Sequence, residues 1–340
     1  MSGAEPTRRS LAPLRLTLAL NESDQVRDLV LGRVPVGGVE LTCLSLPVEE
    51  IFFRFPKFQE WEVSELSLAK FTYLRSRDGG DAPVGIPVFP SRTFRHSAVF
   101  VRGDGSVRGP ADLRGRRVGL PEWTVTATVY VRGLLAHTYG VGLDEVEWVQ
   151  AGTNEPGRVE GVEIALPAGV RITPVPDRSL NDLLLAGEID AVITAHPPAE
   201  FKLGTGRIVR LFEDFQRVEE DSYRETGVFP IMHLIAIRRD VYEASRWVAM
   251  ELQKAFEEAK RRSIERMLDP NAPSTPLPWG PAYAQRAREL FGGDFWPYGI
   301  EPNRATLAAF LGFAHEQGVA TRLLEPEELF AAEVQTAFRI

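Results

Sequence analysis

The chain has 340 residues, with 39 Lys and Arg against 47 Asp and Glu, so its formal net charge at pH 7 is −8. Hydrophobic residues at 44% and charged residues at 25% are typical of a globular protein and exclude a disordered, collagenous or coiled-coil chain. The acidic balance argues against nucleic acid as a partner. The single cysteine, Cys43, excludes a disulfide framework and a cysteine-rich zinc site.

The N-terminal segment could be mistaken for a signal peptide, because Arg8 and Arg9 precede an apolar run. Arg15 interrupts that run, and residues 14–20 alternate between apolar and polar side chains as a β-strand does. No apolar stretch reaches the roughly 18 residues that span a bilayer. We therefore predict a loose tail over residues 1–13, a first strand at 14–20, a cytoplasmic protein and no membrane partner.

Strands and helices alternate along the chain, which predicts an α/β protein with mostly parallel sheets. The predicted strands are 14–20, 39–46, 61–66, 83–89, 96–101, 116–120, 147–150, 189–194, 207–212 and 231–237. The predicted helices are 26–31, 49–58, 67–76, 124–139, 180–186, 240–267, 281–291, 304–317 and 326–330. Pro56 lies inside one of these helices and is expected to end or bend it, and the Gly- and Pro-rich residues 154–169 are predicted to form an excursion.

This order of elements predicts two lobes joined by two crossings of the chain. The first lobe is expected to be discontinuous, with residues 14–101 and 231–340, and the second lobe to comprise residues 102–230. A cleft between two lobes is a common place for a small-molecule site, and a double crossing forms a natural hinge.

Several motifs give this architecture a more specific interpretation. Residues 112–121 (DLRGRRVGLP) and 183–191 (LLLAGEIDA) resemble the type II periplasmic-binding-protein fold, in which each lobe is a mixed, mostly parallel sheet flanked by helices and the ligand lies between the lobes. Five further motifs resemble the 4,5-dihydroxyphthalate decarboxylase family: VEEIFFR at 48–54, ELSL at 65–68, IPVFPSRTFRHS at 86–97, TGVFPIMH at 226–233 and DFWPYG at 294–299.

The resemblance implies a cytoplasmic carboxy-lyase without an organic cofactor, which converts 4,5-dihydroxyphthalate into protocatechuate and CO2. The expected partner is a small aromatic carboxylate, and a homo-oligomer is left open. No His-x-His, His-Glu-x-x-His or Asp-rich calcium motif occurs, so no metal site is predicted. The alternative is a non-catalytic binding or sensor protein for an aromatic carboxylate, because a fold alone does not decide function.

The implied reaction defines the groups that its site needs. The substrate carries two carboxylates, and each has a phenol para to it. Protonation of the ring carbon that carries a carboxylate gives a dienone-like intermediate, from which CO2 can leave. The site therefore needs a proton donor, a group that polarises or deprotonates a phenol, and cations for the carboxylate that stays.

The densest cluster of candidates is SRTFRHS at residues 91–97. Arg92 and Arg95 are expected to hold carboxylates, because guanidinium binds them in a planar, bidentate way, with Ser91 beside them. His96 is a candidate proton donor, because imidazole titrates near neutral pH. In a strand Arg95 and His96 would point to opposite faces, so both need not reach the ligand. The alternative is a surface Arg pair with a structural His.

A second candidate is the predicted helix start at residues 121–126 (PEWTVT). Free backbone N–H groups at a helix start favour an anion, and the hydroxyls of Thr124 and Thr126 could add to them. Trp123 could stack on an aromatic ring, and Glu122 could accept a hydrogen bond from a phenol. The alternative is an ordinary helix cap with a core Trp.

Three further positions complete the candidate site. Glu65 and Ser67 lie at a predicted helix start of the first lobe, where Glu65 could accept a phenol proton and Ser67 could bind a carboxylate, unless they only cap the helix. His233 lies beside the second crossing and is the other candidate proton donor, against the alternative of a core His. Arg158 belongs to a Pro-Gly-Arg stretch that the family resemblance includes, so it is a candidate anion ligand.

Overall fold

In a computed structural model, which describes residues 12–77, 80–271 and 276–336, the strands form two separate β-sheets. The strands are β1 (Leu14–Leu20), β2 (Val39–Ser45), β3 (Val63–Ser67), β4 (Val84–Arg92), β5 (Val99–Arg102), β6 (Arg117–Leu120), β7 (Glu147–Gly152), β8 (Ile172–Ser179), β9 (Ala191–Ile193), β10 (Ile208–Arg210) and β11 (Ile231–Ile237).

Helices flank both sheets. They are α1 (Asp24–Val30), α2 (Val48–Phe58), α3 (Leu68–Arg75), α4 (Thr126–His137), α5 (Leu180–Leu185), α6 (Ala199–Lys202), α7 (Phe215–Thr226), α8 (Arg239–Ala244), α9 (Trp247–Leu268), α10 (Gly280–Phe291) and α11 (Arg304–Glu316). Among these helices none combines the length and the apolar character that a membrane span requires.

The two sheets are both mixed. The first has the strand order β2-β1-β3-β11-β4, with β1 parallel to β2 and β3, and β11 antiparallel to β3 and β4. The second has the order β10-β5-β9-β6-β7-β8, with β6, β7, β8 and β9 parallel and β5 antiparallel to its two neighbours. The predicted α/β class, with mixed sheets flanked by helices, is confirmed.

The strands show where the chain passes from one sheet to the other. Strand β4 belongs to the first sheet and β5 to the second, so the first crossing lies within residues 93–98. The predicted boundary after residue 101 therefore falls inside β5. The chain returns within residues 211–230, and β11 begins at the predicted second boundary.

Several predicted elements have different bounds in the structure. Residues His96–Ala98 form a 3-10 turn, so the strand predicted from 96 begins only at Val99. The helix predicted over 240–267 is two helices, α8 and α9, which meet at Ser245 and Arg246. Strand β8 and helix α7 were not predicted. Helix α2 contains Pro56 and ends two residues after it.

The carboxy-terminal helix α11 packs against α4, which follows a strand of the second sheet. Gly133 of α4 allows this close approach, because a Cβ atom there would lie 2.4 Å from the ring of Phe313. Tyr130 of α4 contacts the second crossing, where its hydroxyl accepts a hydrogen bond from the backbone N–H of Ile231 (3.2 Å). Helix α4 is thus packed against α11 and against the point where the chain returns to the first sheet.

Candidate active site

A cavity of about 420 Å³ lies between residues that follow strands of the first sheet and residues that follow strands of the second. Its volume is within the range of roughly 300–1,000 Å³ that small-molecule sites occupy. The polar side chains that line it are Glu49, Ser67, Lys70, Arg95, Glu122, Thr124, Thr126, Thr153, Arg158, Thr194, His196 and His233. Seven of the predicted site residues are in this set: Ser67, Arg95, Glu122, Thr124, Thr126, Arg158 and His233.

Hydrogen bonds join the two sides of the cavity. The Ser67 hydroxyl, at the end of β3, lies 2.9 Å from the Thr126 hydroxyl at the start of α4. The Thr126 hydroxyl also accepts a hydrogen bond from the backbone N–H of Ala69 (3.1 Å). At the mouth of the cavity Glu49 Oε1 lies 3.1 Å from His196 Nε2. These contacts hold the predicted helix starts of the two lobes face to face.

His233 and Glu65 form a buried pair at one wall of the cavity. In the antiparallel register of β3 and β11, His233 lies opposite Ser67, and Glu65 is its diagonal neighbour. Their side chains meet with His233 Nδ1 2.6 Å from Glu65 Oε1. Glu65 is only 2% exposed, and its other oxygen accepts a hydrogen bond from the backbone N–H of Asn21 (2.7 Å).

This pairing leaves one ring nitrogen of His233 for a ligand. Nδ1 is engaged by Glu65, and the edge of the Phe52 ring covers the imidazole at a centroid distance of 4.7 Å. The imidazole lines the cavity with 17% of the side chain exposed. The carboxylate orients the ring, so His233 Nε2 faces the cavity as a candidate for proton transfer.

Arg95 supplies a positive charge to the same cavity. Its Nε donates to the sulfur of Met232 (3.0 Å), and no carboxylate within the described ranges lies at ion-pair distance from its guanidinium. Burial lowers the pKa of Arg95 to about 10, while the more distant Glu219 carboxylate acts in the opposite direction. The group is therefore charged at neutral pH and lacks a counter-ion in contact.

A mixed cluster of charges occupies the side of the cavity near α4. Arg158 donates to Glu122 Oε1 (Nε–Oε1 2.7 Å), and Lys70 Nζ lies 3.7 Å from Glu122 Oε2. Glu122 is 5% exposed, and its Oε2 accepts no hydrogen bond from any described residue. Glu122 is thus an anchored carboxylate with one oxygen left for a donor.

The turn that leads into α4 already holds a carboxylate. Glu160 Oε2 accepts hydrogen bonds from the backbone N–H groups of Trp123 (2.5 Å) and Thr124 (3.3 Å), and Glu160 Oε1 accepts one from the Thr124 hydroxyl. Burial raises the pKa of Glu160, as does the charge of Glu122, while the hydrogen bonds from Thr124 and Trp123 lower it. The helix itself begins at Thr126, two residues later than predicted. The N–H groups of Trp123 and Thr124 are therefore not free for a ligand, which corrects the expectation for this turn.

Two residues of the SRTFRHS cluster lie away from the cavity. His96 is buried between the ring edges of Tyr139 and Phe212, at centroid distances of 6.1 and 5.2 Å, and burial lowers its pKa to about 4. Arg92 is buried too, and it donates to the carbonyl groups of Phe229 (2.7 Å) and Pro297 (3.1 Å). Both side chains are therefore held in buried contacts outside the cavity, which corrects the expectation that they face the ligand.

Three more of the predicted site residues do not line the cavity themselves. Trp123 is buried under the guanidinium of Arg132, 3.6 Å from the ring centroid, and its indole N–H donates to the Gln317 carbonyl (2.8 Å), so it does not stack on a ligand in the cavity. Ser91 pairs with His233 in the β4–β11 register but does not line the cavity. Glu65 reaches the cavity only through His233.

Sequence reasoning missed several residues of this site. Thr153 and Thr194 follow β7 and β9, and their hydroxyls lie 2.9 Å apart at the cavity wall. Their signal was available, because residues directly after parallel strands meet at one edge of a sheet. Lys70 and Glu160 had no such signal. Among the described residues no group of three or more His, Cys, Asp or Glu side chains is arranged to hold a metal ion.

Comparison with known proteins finds relatives of similar sequence, although no family model matches the chain. A 4,5-dihydroxyphthalate decarboxylase of Comamonas testosteroni is 37% identical over 331 residues, which cover 97% of this chain and 100% of that protein. A 4,5-dihydroxyphthalate decarboxylase of Pseudomonas putida is 36% identical over 212 residues, which cover 62% of this chain and 82% of that protein.

Solved structures with the same architecture are more distant in sequence. The periplasmic aliphatic sulphonate binding protein SsuA of Escherichia coli matches with a TM-score of 0.54 and 10% identity, over 95% of this chain and 99% of that one. The desulfurization enzyme DSZB matches with a TM-score of 0.50 and 16% identity, over 95% and 97% of the two chains. The predicted periplasmic-binding-protein-like fold is confirmed, and this fold serves both a binding protein and an enzyme.

Proposed function

The chain belongs to the 4,5-dihydroxyphthalate decarboxylase family, and from this premise we propose that it removes one carboxylate from 4,5-dihydroxyphthalate to give protocatechuate and CO2. One observation carries the proposal: the His233–Glu65 pair and the cationic Arg95 face the same cavity. A proton donor and an anion receptor are the two groups that this reaction needs next to each other.

The reaction balances with a single proton. The substrate dianion takes up a proton at the ring carbon that carries the departing carboxylate. The bond between that carbon and the carboxylate then breaks, its electron pair returns to the ring, and CO2 leaves. The products are the protocatechuate monoanion and CO2. The phenol para to the reacting carbon donates electron density while the new C–H bond forms, and it does so best when its own proton is shared with a base.

His233 is the proton donor in this scheme. Its Nδ1 is held by Glu65, so the proton that reaches the substrate is the one on Nε2 of the imidazolium. The carboxylate behind the ring stabilises that imidazolium and fixes its orientation, as in other His–carboxylate pairs. Glu65 touches no ligand in the cavity and is a positioning residue. After CO2 leaves, Nε2 takes up a proton from solvent.

Arg95 holds the carboxylate that stays. The two carboxylates of the substrate are on adjacent ring carbons. The cation that binds the retained carboxylate must therefore lie near the group that protonates the carbon of the departing carboxylate. Arg95 is the cation we assign to this place, because Arg95, His233 and Met232, to which Arg95 Nε donates, line the same cavity. Ser67 lies opposite His233 on β3, and when Thr126 donates to it, the Ser67 hydroxyl keeps its own proton for a hydrogen bond to the anion.

The hydroxyl end of the substrate faces the turn before α4 in this scheme. The hydroxyl para to the reacting carbon lies on the opposite side of the ring from that carbon. Glu122 lines the cavity, and its buried Oε2, which has no hydrogen-bond donor among the described residues, is the acceptor that we assign to the phenol proton; Lys70 beside it favours the phenolate that results. Arg158 keeps Glu122 in place. The scheme needs no cofactor, and the cytoplasmic location stays a prediction.

The test is turnover by the purified protein with and without EDTA. We expect one protocatechuate and one CO2 per substrate, at the same rate in EDTA. His233→Gln is expected to lower kcat by at least about a hundredfold, within the range of general acid catalysis. His315→Gln, an exposed His on α11, is the matched control and is expected to behave as the wild type. Tight binding of the substrate without turnover would instead support a non-catalytic binding protein.

A further inference from the structure

The carboxylate of Glu160 occupies a place that is built for an anion. Two backbone N–H groups and one hydroxyl, all from Trp123 and Thr124, converge on it. Its chain neighbours Val159 and Gly161 line the cavity, as does Thr124. A carboxylate of the protein itself thus sits where a carboxylate of the substrate would otherwise be attracted.

A buried positive charge lies beneath the same turn. Arg132 is fully buried, donates to the Trp123 carbonyl (2.7 Å) and to Gln317 Oε1 (2.8 Å), and has no carboxylate in contact among the described residues. Burial lowers the pKa of Arg132, and the charge of Glu160 acts in the opposite direction. Together with the N–H groups, this guanidinium gives the turn a positive potential that Glu160 neutralises.

The donors of the turn itself are consequently occupied by Glu160, and the turn presents acceptors to the cavity. The Thr124 hydroxyl donates its hydrogen bond to Glu160, so toward other partners it can act only as an acceptor. Glu122 adds a buried oxygen without a hydrogen-bond donor among the described residues. Arg158 and Lys70 offset the charge of Glu122, so the charge of Glu160 is what removes the attraction of this end for a substrate carboxylate, whereas phenol O–H groups can donate to the acceptors of the turn.

We propose that Glu160 is a specificity-determining residue, which bars substrate carboxylates from the turn before α4 and so directs the hydroxyl end of the ring toward α4 and the carboxylate end toward Arg95. The inference rests on the proposed function and adds the orientation of the substrate to it. It also predicts that an aromatic dicarboxylate without hydroxyls, such as phthalate, binds weakly.

Glu160→Gln reverses the polarity of this turn with little change in shape. The amide oxygen can still accept from the two N–H groups, but the amide nitrogen donates to the Thr124 hydroxyl, which then turns its own proton outward, and the negative charge is gone. We expect Glu160→Gln to bind phthalate at least about tenfold tighter than the wild type does, because the turn loses a negative charge and gains a hydroxyl donor. A tenfold change in affinity corresponds to about 1.4 kcal/mol. We also expect kcat to fall, because reversed binding of the substrate becomes competitive.

Phthalate binding is measured by calorimetry on wild type, Glu160→Gln, Glu160→Asp and Glu163→Gln. Glu163 is exposed on the same excursion and its side chain makes no hydrogen bond to a described residue, so it is the matched control. Glu160→Asp keeps the charge and is expected to keep the weak phthalate binding. Unchanged or weaker phthalate binding by Glu160→Gln would overturn the proposal. Calorimetry needs no turnover. An absence of decarboxylation would therefore refute the proposed function without deciding the role of Glu160 in binding.

A crystal structure of the wild-type protein with protocatechuate gives a test without a variant. The proposal places the carboxylate of protocatechuate at Arg95 and its hydroxyls near Glu122 and Thr124, with Glu160 still bonded to the turn. A carboxylate bound to the backbone N–H groups around Thr124, with Glu160 displaced, would overturn it.

Discussion

The Glu65→Gln substitution isolates the contribution of the carboxylate behind His233. The amide has nearly the shape of the carboxylate, and its oxygen can still accept the hydrogen bond from the Asn21 N–H. Its NH2 group then faces His233 Nδ1, where the wild type has an acceptor at 2.6 Å. Nδ1 can no longer donate, so the imidazolium loses its partner and the ring is held in the neutral form that cannot supply a proton.

The expected loss follows from the strength of that hydrogen bond. Hydrogen bonds to charged groups contribute about 1.5–3 kcal/mol, and about 1.36 kcal/mol corresponds to a factor of ten in rate. We expect kcat to fall between about tenfold and about 150-fold. KM should change little, because Glu65 is 2% exposed and does not line the cavity.

Steady-state kinetics, followed by CO2 release, measures these effects. Glu62→Gln is the matched control, because Glu62 makes a similar contact to a backbone N–H of β1 (Thr17, 2.8 Å) but does not contact His233. A stable, folded Glu65→Gln protein with the kcat and the KM of Glu62→Gln would refute the role of the pair.

Two other perturbations test the placement of the predicted residues. Arg95→Met should weaken binding of the substrate roughly ten- to hundredfold, because one charge-assisted contact is lost, and equilibrium binding of phthalate and of the substrate measures this. His96→Phe should leave kcat and KM unchanged, because His96 is outside the cavity. Burial keeps the pKa of folded His96 at about 4, while the unfolded chain takes up a proton below about pH 6.5. Stability therefore falls as the pH decreases through this window, by about 2 kcal/mol between pH 7 and 5. Urea unfolding at both pH values should show this loss in the wild type and not in His96→Phe.

The fold was predictable because its signals are local. Alternating strands such as Leu14–Leu20 and Ile231–Ile237 are visible in the residue pattern, and both lie in the first sheet as predicted. Strand β8 was missed because two prolines, Pro174 and Pro176, lie within it. Prolines normally argue against a strand, and β8 accommodates them at the edge of the second sheet.

The site was less predictable, because its geometry depends on the backbone between candidate residues. The SRTFRHS motif identified the correct segment, but β4 ends at Arg92 and a 3-10 turn begins at His96, so Arg95 alone reaches the cavity. The sequence placed Glu65 and His233 in the site separately. Their contact spans 168 residues and depends on the β3–β11 register, which no local pattern reveals.

The excursion over residues 154–169 shows the same limit. It was predicted as an irregular segment, and its Arg158 was expected to bind an anion. In the structure Arg158 is paired with Glu122, and Glu160, two residues further, fills the turn before α4. An irregular loop has no periodic sequence pattern, so a loop residue whose side chain occupies the place of a ligand group is identified only by its contacts.

Turnover in D2O tests protonation of the reacting carbon most directly. The purified protein is incubated with 4,5-dihydroxyphthalate in D2O, and the protocatechuate formed is analysed by mass spectrometry and NMR, with added protocatechuate as the control for exchange. We predict one CO2 per product and one deuterium on the ring carbon that carried the lost carboxylate. Absence of CO2 release, or protocatechuate that carries no deuterium at that carbon, would contradict the account.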